Sequence, residues 1–191
     1  MEEKNCFFKI EGVHVGQTPG IQEQFTKILK DFNRIIEIGT HAGGLTLFLY
    51  RNKRDDCDLV SYDINHNFNQ VSKQIKIDFR IGDCFSHSIF NEIRELILDK
   101  SKRVLLLCDG GDKNNEFKTF SQFLKNNDVI MCHDYAETIE DFNKIKEAIG
   151  WVSPPESSLD IISESINKYG LLKYHYDEFK LVLWGSFMKG N

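Results

Sequence analysis

The chain has 191 residues, enough for one domain with a sizeable core, and 41% of them are hydrophobic, which excludes a disordered chain. Its net charge of -5 and pI near 5.7 lack the cationic footprint of a nucleic-acid binder, and no apolar stretch approaches the ~20 residues of a membrane span. The start has no basic segment leading into an apolar run, and five cysteines without a Cys-x-x-Cys pair point to a reducing cytoplasm rather than a disulfide frame or a zinc knuckle.

Taken in chain order, residues 1–19 read as irregular, with one short extended piece at residues 7–10. Residues 21–32 carry apolar side chains at Ile21, Phe25, Ile28, Leu29 and Phe32, a helical spacing. From there strand-like and helix-like runs alternate. Strands are expected at 34–38, 59–62, 75–80, 103–108 and 129–132. Helices are expected at 44–51, 87–99, 116–124 and 139–149, with a shorter one at 67–72. That alternation implies crossover units and a parallel sheet covered on both faces. A helix at 159–168 follows the stretch WVSPPESS at 151–158. Two strand-like runs then close the sequence, 171–176 and 180–187, joined by only Asp177, Glu178 and Phe179. So short a link predicts an antiparallel hairpin. The expected fold is α/β, a doubly wound Rossmann-like sheet of seven strands, five parallel plus a C-terminal antiparallel hairpin. One domain spans 1–191, with 1–20 as a lid and 151–170 as an insertion on the substrate side.

The segment IIEIGTHAGG at 35–44 carries the strongest local signal. An apolar strand ends in an acid, a glycine-bearing turn follows, and a helix begins, which is how a nucleotide-like ligand is cradled at a helix N-terminus. Gly39, Thr40, His41 and Gly43 form that turn. Each later strand also delivers an acid at its end: Asp63 in the second, Asp83 beside Cys84 in the third, Asp109 in the fourth, and His133 with Asp134 in the fifth. In an open parallel sheet these ends meet at one cleft. Carboxylates gathered there repel unless donors, a cation or a metal offset them. Asp63 is placed to accept both ribose hydroxyls, Asp83 to meet an adenine amino group, and Cys84 to contribute backbone. Glu37 is expected to bond a ligand ammonium or the amides of the turn.

This order of features resembles class I S-adenosylmethionine-dependent methyltransferases, over residues 17–135. The opening segment is similar to that family's first motif, and LCDGGDK at 107–113 with DVIMCHDY at 128–135 resembles the small-molecule O-methyltransferase and cephalosporin-hydroxylase-like branch. Lys113 stands where that branch usually has histidine, and Asn126 with Asn127 replaces a glycine pair. The resemblance implies S-adenosylmethionine held by Glu37, Gly39, Thr40, His41, Gly43, Asp63, Asp83, Cys84 and Asp109. It implies Asp109, His133 and Asp134 as the catalytic set. Asp109 and Asp134 would also ligate Mg2+ or another divalent metal that lowers the acceptor hydroxyl's pKa, with Asp112 as a substitute ligand. His133 would instead serve as general base. His14 sits in the lid, and Tyr135 and Trp151 are candidates to line an acceptor pocket.

No Asp-Pro-Pro follows the fourth strand and no Pro-Cys pair occurs, so the DNA-methylating patterns are absent. The acceptor is expected to be a small molecule or carbohydrate, with no nucleic acid and no membrane, and the chain to form a homodimer. Two rival readings share the fold. One is an NAD(P)-binding oxidoreductase, which the turn and Asp63 also suit and to which Tyr169 and Lys173 add a Tyr-x-x-x-Lys spacing. The other is a methyltransferase-like binding protein without catalysis.

Overall fold

A computed structural model describes residues 8–18, 20–68, 71–149 and 155–191. The first of these form a hairpin of β1 (Phe8–Ile10) and β2 (Val13–Val15), not an irregular lead, because Val13 and Val15 point inward and are buried. Next come α1 (Ile21–Ile28), β3 (Arg34–Ile38), α2 (Gly44–Asn52), β4 (Asp58–Asp63), β5 (Asp78–Ile81) and α3 (His87–Leu98). They are followed by β6 (Val104–Cys108), α4 (Lys113–Phe120), β7 (Val129–His133), β8 (Tyr135–Ala136) and α5 (Ile139–Ile149). The last elements are β9 (Ser157–Ser158), α6 (Leu159–Tyr169), β10 (Leu171–Lys173), α7 (Tyr176–Lys180) and β11 (Trp184–Lys189).

Seven strands form one sheet in the order β10-β11-β7-β6-β3-β4-β5. The pairs from β7 to β5 are parallel, and β11 runs antiparallel to both β7 and β10. The expected doubly wound sheet with a C-terminal antiparallel pair is therefore present. The link in that pair is longer than expected. Tyr176 and Phe179 are buried three residues apart, so this stretch folds as α7, and β11 starts at Trp184 rather than at Lys180.

Alternation along the strands sorts the core into two layers. Val104, Leu106 and Cys108 of β6 join Ile36, Ile38, Phe117 and Ile162 under α3, α4 and α6. Leu105 and Leu107 join Ile35, Phe25, Ile28 and Trp184 under α1 and α2. The sheet centre is buried on both faces, which is why β6 and most of β7 read as apolar runs, while β3 buries Arg34 and Glu37 among its isoleucines.

Three expected elements are corrected. Residues 71–74 form turns rather than a helix, and Val71 and Phe68 pack with Val13, Leu47 and Ile75 in a satellite cluster. That use of Ile75 delays β5 to Asp78. Helix α4 begins at Lys113, three residues before its expected start, because Asp112 caps it by accepting the Asn115 amide at 3.1 Å. Among the described residues no helix is long and apolar enough to cross a membrane.

Candidate active site

The chain reverses order between β3 and β6, and the crevice at this switch point is where the acids converge. At the end of β3 the backbone turns at Gly39 with φ of 98°. A Cβ there would lie 2.1 Å from the Asp109 carbonyl oxygen, so the turn and the end of β6 pack backbone against backbone. The amides of Gly39 and Thr40 donate to the Tyr62 carbonyl at 2.8 and 3.2 Å, tying the turn to β4. Gly43, with φ of 85°, starts α2, and a Cβ there would meet Val71 at 2.2 Å.

Asp63 and Asp83 line one cleft of about 510 Å3 together with Gly39, His41, Cys84 and Asp109. Asp63 Oδ2 accepts the His41 amide at 2.7 Å and its Oδ1 accepts the Asn65 amide at 2.8 Å. Asp83 Oδ1 accepts the Phe85 amide at 2.9 Å. These bonds fix the carboxylates at the cleft wall. Tyr62 and Phe85 add an apolar flank.

A second cavity of about 280 Å3 shares Gly39, His41 and Asp109 with the first. Thr40, His14, Gln17, Lys113, His133 and Asp134 complete the polar part of its lining. His14 arrives through the hairpin: a Cβ on Gly44 would lie 2.1 Å from the His14 carbonyl oxygen, so β2 rests on the first turn of α2. Gln17 bridges two walls. Its Nε2 donates to Asp109 Oδ2 at 2.6 Å and its Oε1 accepts the Trp184 indole N–H at 2.8 Å. Thr18 donates to the Val182 carbonyl at 2.9 Å, so this part of the expected lid is a fastened wall. On the other side of Asp109, His133 Nδ1 donates to Oδ1 at 2.8 Å while its ring stacks on Trp184 at 4.9 Å.

Glu37 differs from its expected role. It faces the α2 layer, fully buried, and lines neither cavity. Its Oε2 accepts from Thr46 and Ser61, both at 2.5 Å, and not from the amides of the turn. Its Oε1 is buried with no hydrogen-bond partner among the described residues. Burial pushes its pKa up to about 8 against those two bonds, with the charges of Asp109 and Asp63 adding to the rise. Glu116 behaves similarly. Burial lifts it to about 7 although its carboxylate accepts the amides of Gly110 and Asp112. His133 moves the opposite way to what burial alone would cause: the charge and hydrogen bond of Asp109, with Asp134, hold its pKa above the ordinary value.

The metal expectation is tested by the oxygens themselves. Each oxygen of Asp109 already accepts one hydrogen bond, from Gln17 and from His133. Asp134 Oδ2 lies 3.2 Å from Lys113 Nζ, which leaves its buried Oδ1 alone without a partner among the described residues. A divalent ion of this class needs about six oxygens. Among the described residues no group of three or more His, Cys, Asp or Glu side chains is placed to hold a metal ion. Asp109 and Asp134 are neighbours here, as expected, but they do not form an open pair of ligands. Asp112 is used as the cap of α4.

The adenosyl-type ligand fits better. Gly39, Asp63 and Asp83 line one cleft, with both carboxylates held at its wall by backbone amides.

Four residues here escaped the sequence reading: Gln17, Lys113, Glu116 and Glu156. Only Lys113 carried a signal, as a cation beside Asp112 where the resembled branch has histidine. Tyr135 is core rather than pocket, with its hydroxyl 2.6 Å from that of Tyr176. Trp151 lies outside the described residues. Tyr169 ends α6 and Lys173 ends β10, with Gly170 left-handed between them, so they share no helix face and lend no support to the oxidoreductase reading.

No protein-family model matches the chain, and no curated protein matches it. Solved structures do. The apo structure of CmcI covers 96% of this chain and 76% of its own, with 14% identity and a TM-score of 0.67. The Mg–SAM structure of CmcI covers 94% and 76%, with 14% identity and a TM-score of 0.62. A SAM-dependent O-methyltransferase from Thermotoga maritima covers 81% and 51%, with 14% identity and a TM-score of 0.52. The chain therefore has the fold of these proteins.

Proposed function

We propose that the chain is an S-adenosylmethionine-dependent methyltransferase that methylates an oxygen of a small-molecule or carbohydrate acceptor in the cytoplasm. The observation that carries this reading is the pair of cavities sharing Gly39, His41 and Asp109 as a common wall. A two-substrate transfer needs that arrangement, with donor and acceptor sites meeting at one place. The acidic lining of the larger cleft suits an adenosyl group, and the four described cysteines with free thiols suit a reducing compartment.

S-adenosylmethionine, when bound, supplies an electrophilic methyl group on a sulfonium. Asp63 accepts hydrogen bonds from the ribose hydroxyls, and Asp83 accepts one from the adenine amino group. Gly39 and its neighbours allow close approach of backbone. His133, oriented by Asp109 and by stacking on Trp184, takes the proton that the acceptor hydroxyl loses. Gln17 holds the far oxygen of Asp109, so the carboxylate cannot turn away from the imidazole. The hairpin wall around His14 and Gln17 narrows the acceptor cavity and keeps water from it. Residues 1–20 and 151–170 are the segments that select the acceptor. Gln17 of the first lines this cavity, and Glu156 of the second pairs with its lining residue Lys113. No step runs through a metal.

Titration calorimetry with S-adenosylhomocysteine and with NADH tests the reading. The expected result is heat with the first and none with the second. Asp63→Ala abolishes that heat, whereas Asp109→Ala keeps it and removes turnover. Binding of NADH alone would reverse the conclusion in favour of the oxidoreductase reading.

A further inference from the structure

The ends of β6 and β7 collect three carboxylates, Asp109, Asp134 and Glu156, around one ammonium. Lys113 Nζ lies 2.7 Å from Glu156 Oε2 and 3.2 Å from Asp134 Oδ2, on a side chain only 8% exposed. The backbone on either side of α5 builds this contact. Asp134, left-handed with φ of 52°, turns its carbonyl to accept the amides of Glu156 at 2.9 Å and Ser157 at 3.1 Å. The β8–β9 pairing continues that register, and Asn114 donates to the Glu156 carbonyl at 2.6 Å. Burial alone would disfavour the charge on Lys113, yet the fields of Asp109, Glu156 and Asp134 outweigh it.

We propose that Lys113 is the resident cation of this centre, its ammonium standing among the strand-end carboxylates in place of a divalent metal, and that it anchors an acceptor carrying an ionisable or anionic oxygen. The charge balance supports this. One buried ammonium offsets part of the repulsion among these carboxylates, and a dication brought beside it would face strong repulsion at short range. Lysine suits the task because its compact charge carries three donors, two of which the ion pairs use. The cavity it lines also holds Asp109, His133 and Asp134 and adjoins the larger cleft, so an acceptor oxygen placed there meets both Lys113 and the Asp109–His133 pair. The cation assignment stands on the geometry of the centre; its extension to the acceptor rests on the methyltransferase reading.

Electron paramagnetic resonance of added Mn2+, with the full chain and millimolar metal, reads the cation site without reference to activity. The wild-type chain is expected to leave Mn2+ free, or to bind it in a way that Asp134→Asn does not alter. Lys113→Ala is expected to gain one bound ion per chain, lost again in Lys113→Ala with Asp134→Asn, while Lys113→Arg stays metal-free. Stoichiometric wild-type binding that Asp134→Asn removes would overturn the proposal. So would a folded Lys113→Ala, judged by circular dichroism, that still leaves Mn2+ free. Should Lys113→Ala not fold, the wild-type comparison with Asp134→Asn decides. Calorimetry with S-adenosylhomocysteine on the same samples keeps the two readings apart: loss of that binding removes the acceptor anchor but leaves the Mn2+ result to judge Lys113.

Discussion

Glu37→Gln tests the buried carboxyl under the glycine turn. In the folded chain burial moves Glu37 from an ordinary 4.5 to about 8. Between those two values the folded state binds a proton that the unfolded state has released. Stability is therefore fully present below pH 4.5 and is lost as pH rises towards 8. One pH unit in that window corresponds to about 1.4 kcal/mol, so roughly 3 kcal/mol has gone by neutral pH. Glutamine keeps the shape and an oxygen for the Thr46 and Ser61 hydroxyls, and it does not titrate. The assay is urea unfolding of wild type and variant at unit steps from pH 5 to pH 9. The difference in stability should move in favour of the variant by about 1.4 kcal/mol per unit up to pH 8, then level. Glu116 titrates in both proteins and cancels. Parallel stability curves across the whole range would refute the burial argument and mean that Glu37 is ionised in the folded chain.

Gly39→Ala should cost about 2–4 kcal/mol in urea unfolding, since a positive φ is combined with a backbone clash against Asp109; an unchanged midpoint would show that the turn relaxes freely. For the proton-accepting role, wild-type turnover should rise with pH to a break above 6.5, because Asp109 favours the charged form of His133. In the residual turnover of Asp109→Asn that break should move to lower pH, and a break that stays in place counts against His133 as the base. His133→Ala should lower turnover by about 10²–10⁴-fold while leaving S-adenosylhomocysteine binding intact in calorimetry.

Much of this molecule was already legible in the order of its residues. The apolar runs at β6 and β7 and the isoleucines of β3 marked central parallel strands, because a strand covered on both faces has little polar side to show. Gly39, Asp63, Asp83, Asp109 and His133 could be placed at one crevice because a parallel sheet brings every strand end to the same edge. Contacts between distant segments were decided by packing alone. Gln17 reaches Asp109 across 92 positions, and Glu156 reaches Lys113 across 43. Neither pairing leaves a local pattern, since each depends on how a hairpin or a loop settles onto the finished sheet. Burial decided the rest. Strand alternation turned Glu37 towards Thr46 under α2 instead of towards a cavity, and the inward side chains of Tyr176 and Phe179 made a helix where a three-residue hairpin link was expected.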